Sequence, residues 1–137
     1  MTPLPPNKGT TVSSRIMTVD DSPSMRMLLK AALTDMGYNV LEAEDGVDAL
    51  ERLGGACSSG NGPDLLITDI NMPRLDGFGL IEKVREQDRH RNLPILVLTT
   101  ESSDEKKQRA RSAGATGWIV KPFHPDKLAA AIRRVLH

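Results

Sequence analysis

A single cysteine, Cys57, stands in 137 residues, so neither an internal disulfide nor a multi-cysteine metal site is open to the chain. That usage suits a reducing compartment. Net charge is missing as well. Eighteen Lys+Arg balance eighteen Asp+Glu, and without a field of one sign nothing draws the whole chain toward nucleic acid or an anionic membrane. Any electrostatic function must be local. Apolar runs fall far short of the roughly 20 residues that a membrane-spanning helix needs, and the charged start and apolar stretch of a signal peptide are lacking. A cytoplasmic protein with neither membrane nor nucleic-acid partners is expected.

What is present is ordinary globular composition, 39% hydrophobic and 26% charged, which argues against disorder of the whole chain. One domain fits this length. Residues 1–14, MTPLPPNKGTTVSS, carry three prolines and little apolar matter, too little to offset the entropy of ordering them. A flexible tail is expected there, with the domain over 15–137.

From Arg15 the chain alternates short apolar runs with helical spacing. Ile16 to Val19 reads as a strand that stops at Asp20-Asp21. Ser22 is an N-cap with Pro23 at the first helical position, and Met25, Leu28, Leu29, Ala32, Leu33 and Met36 form the inner face up to Gly37. The unit then recurs. A strand over 39–43 precedes a helix with Val47, Leu50 and Leu53 inward, which Gly54-Gly55 is expected to end. The stretch from Gly54 to Gly62 reads as a loop holding Cys57 as an incidental thiol. Residues 64–68 form a third strand closed by Asp69, and Leu80, Ile81 and Val84 mark a helix running to about Asp88. A wholly apolar strand over 94–99 follows, then a helix capped by Ser102 or Ser103 and closed by Gly114. A strand over 115–120 and a helix opened by Pro125, with Leu128, Ile132 and Val135 inward, complete the series. Strands apolar throughout, alternating with amphipathic helices, argue for a doubly wound, five-stranded parallel α/β sheet covered on both faces.

Ligands of such sheets bind beyond the carboxyl ends of the strands. The residues that finish strands are Asp20, Asp21, Asp69, Thr99 and Lys121. Each has an ordinary structural role open to it: a helix N-terminal acid, an Asx turn, a β-branched strand residue, a solvated lysine. Their joint placement on one edge is what separate structural roles do not require. Neighbouring strands lie about 4.8 Å apart, so carboxylates ending adjacent strands reach one ion. Three of them repel one another unless something positive sits among them. Lys121 supplies one charge, and a divalent cation that takes a few carboxylate oxygens and keeps several waters, as magnesium does, is the natural complement.

These residues also carry a resemblance. Asp20-Asp21 after a first strand, Asp69 followed by Ile70-Asn71-Met72-Pro73 and Asp76-Gly77, Thr99-Thr100-Glu101, and Gly117-Trp118-Ile119-Val120-Lys121-Pro122-Phe123 together resemble a response-regulator receiver domain. Over residues 15–137 the likeness is to the single-domain chemotaxis type, the last helix ending the chain. The resemblance implies a flavodoxin-like strand order 2-1-3-4-5, of which CheY is a known example. It implies that Asp69 accepts a phosphoryl group from a histidine kinase, and that magnesium is held by Asp21, Asp69 and the backbone carbonyl of Asn71, with Asp20 acting through water. Lys121 and Thr99 would contact phosphoryl oxygens, while Asn71 and Glu101 tune the approach of water. Trp118 stands where the family usually has Tyr or Phe as its switch aromatic, and a cis Lys121-Pro122 bond is also implied. The implied output is a monomer that meets a target such as the flagellar motor switch through its fourth helix, fifth strand and fifth helix. The basic run Lys106, Lys107, Arg109 and Arg111 reads as a solvated face beside that surface or as a contact for an acidic partner. The histidines His90, His124 and His137 have no ligand spacing.

Three rivals remain at this level. A phosphate sink would share the site and lack a downstream target. An aspartate-nucleophile phosphatase would want D-x-D after the first strand and a cap domain. A flavodoxin-like flavin binder would want a phosphate-cradling loop where Asp20 and Asp21 stand.

Overall fold

The computed structural model describes residues 14–136, so the tail expected over residues 1–14, Ser14 apart, and His137 lie outside the described residues. Five parallel strands, β1 (Arg15–Val19), β2 (Asn39–Ala43), β3 (Leu65–Thr68), β4 (Ile95–Thr99) and β5 (Gly117–Val120), pair in the order β2-β1-β3-β4-β5. The helices between and after them are α1 (Pro23–Asp35), α2 (Gly46–Ser58), α3 (Gly77–Arg85), α4 (Asp104–Ala113) and α5 (Pro125–Val135). This is the flavodoxin-like order. Among the described residues no helix is long and apolar enough to cross a membrane.

Because side chains alternate along a strand, each buried strand feeds two cores. Met17, Val19, Leu66, Ile95 and Val97 pack with Leu53 of α2, Ile81 and Val84 of α3 and Ala110 of α4. Ile16, Leu65, Ile67, Leu96 and Leu98 pack with Leu29 and Leu33 of α1 and Leu128 and Ile132 of α5. Register follows from this division. A one-residue slip would exchange the two cores, and parallel pairs such as Val19 with Thr68 and Thr99 with Val120 bring the strand ends to one edge.

The helix starts are locally determined. Ser22, Asp45, Asp76 and Ser103 each accept a hydrogen bond from a backbone N–H three residues on, which satisfies donors that would otherwise be orphaned. Gly114 closes α4 with φ of 118°, the left-handed geometry that favours glycine.

Several expectations need correction. Leu28 is 58% exposed and Met27 beside it 69%, so α1 packs on a narrower stripe led by Leu29 and Leu33. Gly54-Gly55 does not end α2, which continues to Ser58. Leu53 anchors that helix from the core side, and the left-handed residue is Gly60, with φ of 81°. On the inner face of α2, Ala49 and Leu53 are buried whereas Val47 and Leu50 are half-buried. Cys57 is therefore helical, its Sγ 3.7 Å from Nε2 of the buried His90. That ring belongs to a short 3-10 turn, Asp88–His90, because α3 stops at Arg85. Strand β5 starts only at Gly117, two residues later than its apolar run suggests, since Thr116 turns its hydroxyl onto the Ile95 N–H at 3.0 Å.

Two glycines test this packing in opposite directions. A Cβ on Gly77 would come within 2.3 Å of the Asp69 carbonyl oxygen and 2.8 Å of Ile70 Cα, whereas one on Gly54 would meet nothing within 4 Å. Gly77→Ala should destabilise the fold by about 2–3 kcal/mol through a backbone clash. Gly54→Ala should stabilise it by about 0.5–1 kcal/mol by removing a flexible residue from a helix interior. Urea unfolding of the two variants beside wild type reads both signs.

Candidate functional site

The site is built from strand ends. The Asp69 N–H donates to the Val19 carbonyl at 2.9 Å and the Asp20 N–H to the Ala43 carbonyl at 3.2 Å, so the ladder continues one residue past each strand. On the other side the Lys121 N–H donates to the Thr99 carbonyl at 2.7 Å. Side chains that finish β1, β3, β4 and β5 thereby share one edge, as inferred from the sequence.

Lys121 holds the site together. Its Nζ lies 2.7 Å from Asp20 Oδ2 and 2.9 Å from Asp69 Oδ2. Each acid also has a backbone donor, Ser22 N–H on Asp20 Oδ1 at 2.9 Å and Ile70 N–H on Asp69 Oδ1 at 2.6 Å. Asp20 is 2% exposed and Asp69 9%, while Asp21 is open to solvent. Burial alone would lower the lysine pKa, but the hydrogen bonds and charges of Asp20 and Asp69 outweigh it and hold the ammonium above its ordinary 10.5.

One carboxylate oxygen each from Asp20, Asp21 and Asp69 lie within 4.8 Å of one another. Three carboxylates against one ammonium leave the cluster anionic. Its donors are all oxygens, with no thiolate or imidazole among them, and its open side is the exposed Asp21. These features fit a hard divalent cation that retains water.

The remaining predicted residues surround this cluster. Thr99 is fully buried, and its Oγ1 accepts from the Glu101 N–H at 3.4 Å. Asn71 is exposed, two residues past Asp69 on the β3–α3 loop. Glu101 carries two further links: its Oε1 takes Lys106 Nζ at 2.8 Å, and its carbonyl accepts the Trp118 indole N–H at 3.1 Å. Trp118 is thus tied to the β4–α4 loop rather than packed only on the sheet edge. The Lys121-Pro122 bond is cis. The basic run on α4 is not one solvated face, since Lys106 pairs with Glu101 and the Arg109 guanidinium sits 4.1 Å from the centroid of the Phe78 ring.

Sequence reasoning missed two arginines. Arg26 donates from α1 to the Asp20 carbonyl at 2.5 Å while lying 3.7 Å from Glu42 of β2. Arg74 forks onto Asp45. Helical spacing marks Arg26 as polar-faced, but no local pattern points Arg74 at a residue 29 positions away.

Comparison with known proteins decides the family. The response regulator receiver domain model matches residues 16–133. The chain belongs to the response regulator receiver family. Among curated relatives, this receiver is 41% identical over 123 residues to chemotaxis protein CheY1 of Helicobacter pylori, covering 89% of this chain and 96% of that one. Among solved structures it resembles the chemotaxis protein CheY4 of Vibrio cholerae with a TM-score of 0.84 and 43% identity, over 91% of this chain and all of the other. It also resembles the receiver domain of the sensor histidine kinase PA1611 from Pseudomonas aeruginosa, which has a magnesium ion coordinated in its active site cleft. That likeness has a TM-score of 0.79 at 26% identity, over 91% of this chain and 98% of the other. The receiver is of the CheY type.

Lys121 gives a testable charge balance. Lys121→Met leaves two nearly buried carboxylates without their cation and should cost about 2–3 kcal/mol at neutral pH in metal-free buffer. In wild type the raised lysine pKa contributes stability that is complete below 10.5 and lost as pH climbs through the folded-state value. Urea midpoints followed upward from about pH 9 should therefore fall more steeply for wild type than for Lys121→Met.

Proposed function

We propose that this receiver accepts a phosphoryl group on Asp69 from a histidine kinase and relays the signal by altered protein binding in chemotaxis. The observation that carries the reading is the Asp69 carboxylate, held at the sheet edge by Lys121 and clustered with Asp20 and Asp21. One Asp69 oxygen attacks phosphorus as the bond from phosphorus to the donor's imidazole nitrogen breaks, giving an aspartyl phosphate and the free histidine. Lys121 then meets a phosphoryl oxygen, and the Thr99 hydroxyl donates to another. Asp21, Asp69 and the Asn71 carbonyl would hold magnesium, with Asp20 acting through water, and the ion would supply neutralisation of the charge on the phosphoryl oxygens. The all-oxygen donor set and the magnesium of the PA1611 receiver support that choice.

The same residues would serve hydrolysis. Asn71 and Glu101 flank the path of a water attacking phosphorus, so the protein is a signalling phosphoacceptor with self-catalysed transfer and loss rather than an enzyme acting on an outside substrate. Its output surface would be α4, β5 and α5. Movement of Thr99 toward the phosphate would pull the β4–α4 loop through the Glu101 N–H, and Trp118 would follow through the Glu101 carbonyl. A cytoplasmic monomer meeting a target such as the flagellar motor switch fits this arrangement.

Intact mass after incubation with magnesium and acetyl phosphate tests the assignment. A gain of one phosphoryl group is expected in wild type and not in Asp69→Asn or in chelator. No gain, together with no stable beryllofluoride complex, would overturn it.

A further inference from the structure

The β3–α3 loop is attached to the phosphoacceptor at its start and closed on itself at its end. Its first N–H, from Ile70, rests on Asp69 Oδ1 at 2.6 Å. It closes on itself through Gly77 N–H to the Ile70 carbonyl at 2.8 Å and Leu75 N–H to the Pro73 carbonyl at 2.7 Å. At its tip stands Arg74, the one non-glycine residue with positive φ among the described residues, at 67°. A side chain disfavours that backbone conformation, so something must hold it there. The holder is Asp45, the N-cap of α2, whose side chain is 6% exposed and receives Arg74 Nε at 2.8 Å and Nη2 at 3.0 Å. Beside the fork, Gly46 N–H donates to the Leu75 carbonyl at 3.2 Å, an approach close enough that a Cβ on Gly46 would fall 2.5 Å from that oxygen.

We infer that Arg74 is a positioning residue for phosphotransfer: its fork onto Asp45 fixes the loop that carries Ile70 N–H and the Asn71 carbonyl against Asp69. The inference rests on the phosphoacceptor reading, which it deepens. Planar two-point recognition suits the task, because one fork fixes both distance and orientation where a lysine would fix only distance. The hydrogen bond from Arg74 also holds the Asp45 carboxyl below its ordinary value, against the opposing effect of burial.

The decisive comparison uses substitutions that spare the local backbone. Arg74→Gly removes the fork from a residue whose φ glycine adopts freely, and Asp45→Ser removes the acceptor while leaving a good N-cap. With acetyl phosphate at saturating magnesium, each should slow labelling of Asp69 about tenfold, the double variant little more than either single, and Arg74→Lys less than Arg74→Gly. Amide exchange at Ile70, Leu75 and Gly77 should quicken about tenfold in both single variants while the strands keep their protection. Arg52→Ala, which removes an exposed ion pair on the same helix, should leave both readouts unchanged. Labelling and loop exchange at wild-type levels in Arg74→Gly, or exchange quickened evenly through the chain, would overturn the inference. If wild type itself takes no label, the phosphoacceptor reading fails, and the loop exchange alone then decides whether the fork orders the loop.

Discussion

An ammonium shared by two nearly buried carboxylates is the contact on which the rest of this receiver's edge depends. Lys121 finishes an edge strand, Asp20 and Asp69 finish two strands further in, and the lysine reaches both within 2.9 Å. Without a cation there, the acids that end β1 and β3 would oppose the register that brings them together. The hydrophobic cores impose that register regardless. A parallel pair shifted by one residue would turn Ile16, Leu65 and Ile67 out of one core and Met17 and Leu66 out of the other. Packing therefore sets the geometry, and the lysine makes it tolerable while leaving net negative charge exposed through Asp21.

The same contact explains why the surrounding backbone is so tightly drawn. The role proposed for Asp69, a nucleophile at a strand end, needs a carboxylate whose orientation is fixed by groups other than its reaction partner. For Asp69 these are the Ile70 N–H on one oxygen, the strand ladder through the Val19 carbonyl, and Gly77, which passes so near the Asp69 carbonyl that no side chain fits. Asp20 has the corresponding support from Ser22 N–H and from Arg26 on its carbonyl. Both acids are thus held by main-chain donors that belong to the loops, so loop order and site geometry are a single quantity.

Legibility in the sequence divided along the same lines. Features with a local physical cause were readable: the apolar strands, the Ser22 cap, a cap at Ser102 or Ser103, Gly114 as a helix stop, and the polar residues that finish strands. The strand order was not derivable from periodicity and came only with the family resemblance. Gly54-Gly55 misled because glycine marks a helix end only where the chain adopts positive φ, and here Leu53 packing carries the helix onward to Ser58, with the positive φ only at Gly60. Leu28 misled because helical spacing counts apolar residues without knowing how wide a stripe the sheet will cover. Arg74 left no trace at all. Its role depends on a backbone angle and on a partner 29 residues distant, neither of which a pattern of residue types contains.

Tryptophan at position 118 changes how this edge can communicate. An indole offers one donor and no acceptor, and here that donor is spent on the Glu101 carbonyl, while the Glu101 N–H faces the Thr99 hydroxyl. A single residue of the β4–α4 loop is therefore gripped from both sides by Thr99 and Trp118, the two side chains proposed to carry the switch. Any displacement of Thr99 must either break its contact with Glu101 or move that residue, and moving it strains the indole bond. Lys106, fastened to the Glu101 carboxylate from the first turns of α4, extends the constraint to the helix. Two-state behaviour requires that phosphate favour one arrangement of this linked set over another. The linkage ties the loop, the indole and the start of α4 together, so under the proposed phosphorylation of Asp69 a displacement of Thr99 would reach the α4 surface through the backbone and carboxylate of Glu101.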